Sequence, residues 1–198
     1  PGSVEKVYAE RVQEALQADA QGLTVHNAGV RSDTTRQARE RLASDVLASQ
    51  PAVVVVQFGI NDAAVDVWRD PPATAPRVPL ADYEANLRWI IAELRRRQVR
   101  PVLMTTNPTR WTGPLRERYG RPPYRVDDAD GFDAPVLSHY NAAVRRLAAE
   151  LAVPLVDIHA AFTSAGPDAL LLDGMHPNDR GHALIAATLL PVLRGLLP

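Results

Sequence analysis

Three short stretches of this chain carry residues whose types and spacing suit catalysis. Asp173 and His176 stand three residues apart in LLLDGMHPNDRGHALIA. On a tight turn, that separation lets a carboxylate reach the near nitrogen of an imidazole. The contact would fix the tautomer, stabilise the imidazolium and leave the far nitrogen free as a base. Asn61 follows the valine run in VVVVQFGINDAA. An asparagine just past a buried strand can aim its amide over the sheet edge, where a tetrahedral oxyanion would be stabilised. Gly29 closes LTVHNAG and would offer a backbone N–H, unshielded by any side chain, to the same place. Together these are parts for acyl transfer through a serine nucleophile. Each also has a plainer reading, since D-x-x-H occurs in ordinary surface turns and Gly29, Gly59 and Asn61 are turn formers. Asp62 is expected to cap or brace its turn rather than meet substrate.

The elements that would position these residues alternate between helix and short apolar strand, which argues for a parallel sheet covered on both faces. Tyr8, Val12, Ala15 and Leu16 share one helical face, and residues 23–26 read as a short strand running into Asn27-Ala28-Gly29. Ser32 or Asp33 is placed to cap a helix over residues 34–49. Residues 53–58 form a continuous apolar strand of the kind buried on both faces. Tyr83, Leu87, Ile90, Ile91 and Leu94 mark the clearest amphipathic helix. Strands are expected over 101–106 and 154–158 and a helix over 137–151. Asn178 or Asp179 caps a last helix over 179–196. Residues 66–79 and 107–135 interrupt this rhythm with prolines, and the second stretch adds Trp111, Tyr119, Tyr124 and Phe132. Both stretches follow strands, at the edge where open α/β sheets bind ligands. The longer one has the length of a lid or binding loop.

Composition bounds the function. The chain has 198 residues, 46% of them hydrophobic, enough for one domain over 1–198 with a filled core. A formal net charge of −1 gives no nucleic-acid footprint. No apolar run approaches the ~18–20 residues that span a bilayer. The absence of cysteine removes disulfides, thiolate metal sites and a cysteine nucleophile. Pro1-Gly2-Ser3 leads straight into a helical pattern without a signal peptide, and the compartment stays open. Asp157 and His159 alternate at a strand end but lack a third ligand, so a structural role is expected and no metal is. His26, His139 and His182 have no partner in the sequence pattern. No phosphate loop or dinucleotide fingerprint occurs, and no cofactor is expected.

Gly29 after one strand, Gly59-x-Asn61-Asp62 after the next, and Asp173-x-x-His176 before the last helix stand in a fixed order on an alternating α/β chain. In that order the sequence strongly resembles the SGNH hydrolase (GDSL lipase/esterase) superfamily, over essentially the whole chain from Tyr8 onward. The resemblance implies a three-layer α/β/α fold around a flavodoxin-like parallel sheet. It makes Gly29 and Asn61 the oxyanion donors, His176 the general base and Asp173 its orienting acid. It also implies a metal-free serine esterase. The Arg- and aromatic-bearing stretch 107–135 inclines the substrate towards short O-acyl, chiefly acetyl, esters of carbohydrates or small molecules. A lipase or thioesterase for longer chains, an acyltransferase and a non-catalytic binding domain are the alternatives. The fourth block of the superfamily, Gly-Asp-Ser directly after a first β-strand, does not occur. Ser3 is the nearest serine, closer to the first helix than the usual loop would place it. That strand lies second in the 2-1-3-4-5 sheet order, so the sheet is expected to be interrupted. Residues preceding Pro1 are expected to read as an apolar strand followed by Gly-Asp-Ser.

Overall fold

The computed structural model describes residues 4–19 and 22–197, so Ser3 lies outside the described residues. Eight α-helices and three strands follow one another over these residues. They are α1 (Tyr8–Asp19), α2 (Thr35–Arg41), β1 (Val53–Val56), α3 (Ile60–Ala63), α4 (Leu80–Arg96), β2 (Arg100–Met104), α5 (Gly113–Tyr119), α6 (Leu137–Glu150), β3 (Leu155–Val156), α7 (Ile158–Ala165) and α8 (Asp179–Arg194). The strands pair in parallel in the order β1-β2-β3, with Val55 opposite Val102 and Met104 opposite Val156.

Strand side chains alternate between two apolar layers, as a period of two dictates. Val54, Val56 and Leu103 face a core built with α2, α4 and α6. Val53, Val55, Val102, Met104 and Val156 face a second core built with α1, α7 and α8. This is the three-layer α/β/α arrangement expected from the alternating pattern. Among the described residues, no helix is long and apolar enough to cross a membrane.

Local chemistry sets the element ends. Thr34, not Ser32 or Asp33, caps α2, in a reciprocal capping box with Gln37. The 34–49 helix is regular only to Arg41 and ends in a π turn (Leu42–Val46) and a 3₁₀ turn (Leu47–Ser49). Asn178 caps α8 by accepting from the Gly181 amide at 3.0 Å. His182, one turn into α8, accepts from the Tyr8 amide at 3.3 Å and stacks on the Tyr8 ring, which docks the start of α1 onto α8.

Residues 23–26 are not a strand. They run without ladder pairing, held by the Gln13 side chain, whose Nε2 donates to the Leu23 carbonyl at 2.9 Å and whose Oε1 accepts from the Val25 amide. The physical reason is spacing. A groove separates these residues from β1, and an extended segment with no neighbour at strand distance forms no ladder. The same groove leaves β1 at the sheet edge. Val53, Val54 and Val55 are therefore half-buried, rather than fully buried as their apolar run implied, and only Val56 is enclosed.

Gly181 shows how tightly α8 is seated, because a Cβ there would lie 2.4 Å from the Leu170 carbonyl oxygen. In a free helix, glycine to alanine gains about 1 kcal/mol. Here Gly181→Ala is expected to lower the thermal midpoint instead, as a melting curve would show.

Candidate active site

The turn before α8 is built around one carboxylate. Asp173 Oδ1 accepts from the Met175 and His176 amides at 3.0 and 2.8 Å, and Oδ2 lies 2.8 Å from His176 Nδ1. The turn closes at Gly174, whose φ of +87° is left-handed and whose missing Cβ would meet the Arg110 carbonyl at 2.4 Å. Arg110 N donates to the Gly174 carbonyl at 2.7 Å, and Asn107 Nδ2 to the Met175 carbonyl at 2.9 Å. The loop after β2 therefore clamps the turn to the sheet's carboxyl edge. Partial burial pushes the Asp173 carboxyl up. The His176 amide and imidazole and the Met175 amide outweigh that and hold it below the usual carboxylate range. Both side chains stay open to solvent, with His176 69% and Asp173 53% exposed. With Nδ1 on the carboxylate, Nε2 is the nitrogen left to exchange a proton with a reacting group.

Asn61 sits in the first turn of α3, after Gly59, whose φ is +147° and which lies against Tyr83 and Thr106. Its amide is fixed from both ends: Oδ1 accepts from Arg77 Nη1 at 3.3 Å, and Nδ2 donates to the Asp33 carbonyl at 3.1 Å. One amide hydrogen of Nδ2 is left over for a ligand. Arg77 is itself held by Asp66, with Nη2 and Nε at 2.7 and 3.1 Å from its carboxylate. Burial pushes the Asp66 carboxyl up, but the bonds and charge of Arg77, with Arg69, hold it below its ordinary value.

Asp62 braces α2 rather than its own turn. Fully buried, it accepts from the Thr35 amide at 2.8 Å and the Thr35 hydroxyl at 2.6 Å, and its other oxygen has no partner among the described residues. Burial raises its pKa despite these bonds. Gly29 lies in the exposed loop before α2. Its amide donates to its neighbour Asn27 Oδ1 at 3.0 Å, so an incoming oxyanion would have to displace that side chain. Arg41 ties this loop to Asn61, because it binds the Ala28 carbonyl at 2.7 Å and the carboxylate of Asp33, whose own carbonyl holds Asn61.

Asn61 and Met175 line one small, largely apolar cavity of about 50 Å³, together with Tyr124, Phe132, Val136 and Leu137. The Asn61 block and the Asp173–His176 turn thus meet at this cavity. Gly29 lines the separate groove beside β1 and reaches Asn61 only through the Arg41 and Asp33 links. The other histidines lie elsewhere. His159 Nε2 is 3.2 Å from Asp133 Oδ2, and Asp157 caps α7 while paired with Arg145. His26 and His139 are exposed. The rings of the 107–135 loop do not form an open stacking platform. Tyr119, Tyr124 and Phe132 are buried against one another, and Trp111 stacks on Phe132 at 4.7 Å. Sequence reading missed Asp66, Arg77, Asp33 and Arg41, because their pairings join loops that share no periodicity. Among the described serines, Ser138 donates to the Ala134 carbonyl and Ser49 to the Val46 carbonyl, within their own segments.

A model of the GDSL-like lipase/acylhydrolase family matches residues 2–184. The chain belongs to that family. Among curated relatives, the acetylxylan esterase of Geobacillus stearothermophilus is 30% identical over 176 residues, covering 85% of this chain and 71% of that protein. The crystal structure of that esterase superposes with a TM-score of 0.70 at 28% identity, over 96% of this chain and 81% of that one. Structures of its variants described as catalytic carry changes at a serine, an aspartate and a histidine. An uncharacterized lipoprotein of Bacillus subtilis, YqeF, is 31% identical over 165 residues, covering 80% of this chain and 66% of that protein. The isoamyl acetate-hydrolyzing esterase of Saccharomyces cerevisiae is 25% identical over 166 residues, covering 80% of this chain and 64% of that protein. The chain thus spans 64–71% of the length of these curated relatives.

Asp62 makes a pH signature. A folded pKa raised above 3.8 means the native state holds this proton more tightly than the unfolded chain does. Its contribution to stability is therefore greatest below that value and is lost as pH rises through the folded pKa. Asp62→Asn keeps an acceptor for Thr35 but cannot ionise. Urea midpoints above pH 3.8 are expected to fall less with rising pH in this variant than in the parent.

Proposed function

We propose that this fold serves a serine esterase that cleaves short O-acyl, chiefly acetyl, esters of carbohydrates or small molecules. The observation that carries the reading is the 2.8 Å Asp173–His176 contact, on a turn clamped to the same cavity as Asn61. A serine hydroxyl brought beside His176 would pass its proton to Nε2 while its oxygen attacks the acyl carbonyl. The Asn61 amide would hold the oxyanion, joined by the Gly29 amide once Asn27 releases it. The imidazolium, stabilised by Asp173, then protonates the leaving alcohol. Water attacks the acyl-serine with His176 again as base, and the acid departs.

The short-chain preference is supported by the size of the cavity beside Asn61. At about 50 Å³ it falls far below the ~300–1,000 Å³ of sites that enclose drug-sized ligands. Two of the named relatives, the acetylxylan and isoamyl acetate esterases, act by name on acetate esters. The carbohydrate side of the substrate rests on the first of these, because the rings of the 107–135 loop face inward.

Two experiments test the reading. In protein carrying a nucleophile-bearing strand, His176→Ala is expected to lower p-nitrophenyl acetate turnover by ~10³-fold or more with an unchanged circular dichroism spectrum. Retained turnover would remove His176 from its role, and faster turnover of octanoyl than of acetyl esters would overturn the short-chain assignment. The second concerns Arg77, a positioning residue that fixes the Asn61 amide. Arg77→Lys keeps a charge beside Asp66 but cannot hold both partners as a fork does. It is expected to lower kcat with little change in KM, and to do nothing further once Asn61 is alanine. Strictly additive effects would show that Arg77 serves Asp66 alone.

A further inference from the structure

After β1 and α3 the chain enters the proline-rich stretch 66–79, where Trp68 stands 41% exposed. The residue is nonetheless held in place. Val67 before it is buried, and the Arg69 amide after it donates to the Asp66 carbonyl at 3.1 Å, closing a tight turn. The indole N–H is hydrogen-bonded to the Asp66 carboxylate. The Arg118 guanidinium of α5 lies over the ring, 4.2 Å from its centroid. Arg69 is drawn to the same carboxylate at 2.8 Å, so it sits towards the N–H edge, 5.5 Å from the centroid. One face of the indole is thus covered by Arg118, and its N–H edge by Asp66 and Arg69. The exposure of 41% then comes from the opposite face, which lies open to solvent.

That face belongs to the surroundings of the cavity beside Asn61. Asp66 binds Arg77, Arg77 binds Asn61, and Arg77 lines the cavity. Arg118 precedes Tyr119, which lines the same cavity from α5. Trp68 therefore stands just outside, between two of the cavity's walls. Three contacts of ~3 Å, with one carboxylate and one guanidinium between them, put the indole N–H within about 15 Å of the Asn61 carboxamide. Because the indole does not line the cavity, a group stacked on it is a neighbour of the unit that carries the ester.

The chemistry of the patch selects the ligand. An indole face fixed before anything binds offers flat apolar area at little ordering cost. Arg69 and Asp70 follow it directly, both exposed, and place polar groups at its rim. Charges of both signs there favour a neutral ligand rich in hydroxyls. A pyranose ring matches this surface, with C–H groups on one face and hydroxyls around its edge. A long acyl chain needs the apolar walls of an enclosing pocket, which one exposed ring does not supply. Trp89 of α4 gives the contrast. It is 40% exposed under Arg39 at 4.7 Å, yet neither it nor its sequence neighbours line that cavity.

We propose that the open face of Trp68 is a carbohydrate subsite, which stacks a neutral pyranose unit of an oligosaccharide whose adjoining part carries the ester. Arg118 braces the indole from behind. The ion pairs of its loop engage Arg110 and Arg125 and leave Arg118 without an acidic partner among the described residues, so the stack on Trp68 is what positions it. That the bound sugar is part of the enzyme's substrate rests on the esterase reading above. The stacking itself does not.

The test titrates unesterified xylohexaose into the full-length protein and follows the indole N–H resonances of its three tryptophans. The Trp68 signal is expected to shift saturably while that of Trp89 stays in place. By calorimetry, Trp68→Ala is expected to weaken binding by ~tenfold. Trp68→Phe keeps a ring but has no N–H for Asp66, and is expected to bind within about threefold of the parent. Absence of a saturable Trp68 shift, or a shift shared equally with Trp89, overturns the subsite. So does a phenylalanine variant as weak as the alanine one, since the residue would then serve only through Asp66. Saturable binding without release of acetate from acetylated xylohexaose upholds the subsite and counts against the esterase reading instead.

Discussion

The buried bond between Asp62 and Thr35 is the joint on which the upper edge of the sheet depends. Asp62 belongs to the turn that follows β1, and Thr35 opens α2, so one carboxylate fastens a strand end to the helix beside it. Asn86 of α4 donates to the same Thr35 hydroxyl at 2.9 Å and accepts from Arg39 at 2.8 Å, which carries the joint into a third element. Because Asn61 precedes Asp62 and Asp33 precedes the α2 cap, the carboxamide and the Gly29 loop are positioned by one fixed body. The cost is a fully buried carboxyl oxygen without a partner among the described residues, where most buried polar atoms are hydrogen-bonded.

Two aspartate–histidine pairs lie at the same end of the fold, and surroundings separate them. Asp133 is buried and already accepts from the Thr109 amide at 2.9 Å, so its contact with His159 pins the long loop to α7. Asp173 is half open, receives two amides from its own turn and presents its imidazole outward. The same residue types thus give a buried tether in one place and an exposed ring, its Nε2 turned away from the carboxylate, in the other.

Most of this was legible in the sequence where periodicity or a local turn encodes it. The faces of α4 and α6, the start of α8 and the Asp173–His176 contact follow from spacing alone, because each depends on neighbours a few residues away. What escaped depends on distant partners. Leu23 and Val25 carry a strand-like alternation, yet they form no strand because nothing stands beside them. The π turn at Leu42–Val46 arises where a helix read as continuous must end, and no glycine or proline announces it. The aromatic stretch looked like a binding surface, but its rings found each other and enclosed a small core around Phe132. Arg77 could not be assigned to Asn61 from sequence, since it stands sixteen positions further on, beyond α3 and a proline-rich loop.

In the esterase proposed above, the openness of the His176 ring would have a kinetic consequence. Enzymes that close a flap over their reacting groups often spend the cycle waiting for it to reopen. Here the imidazole meets bulk water directly, so protons and small alcohols can come and go without a hinge. Buffer catalysis and solvent viscosity should therefore leave different marks on the rate, the first touching the proton step and the second having no gate to slow.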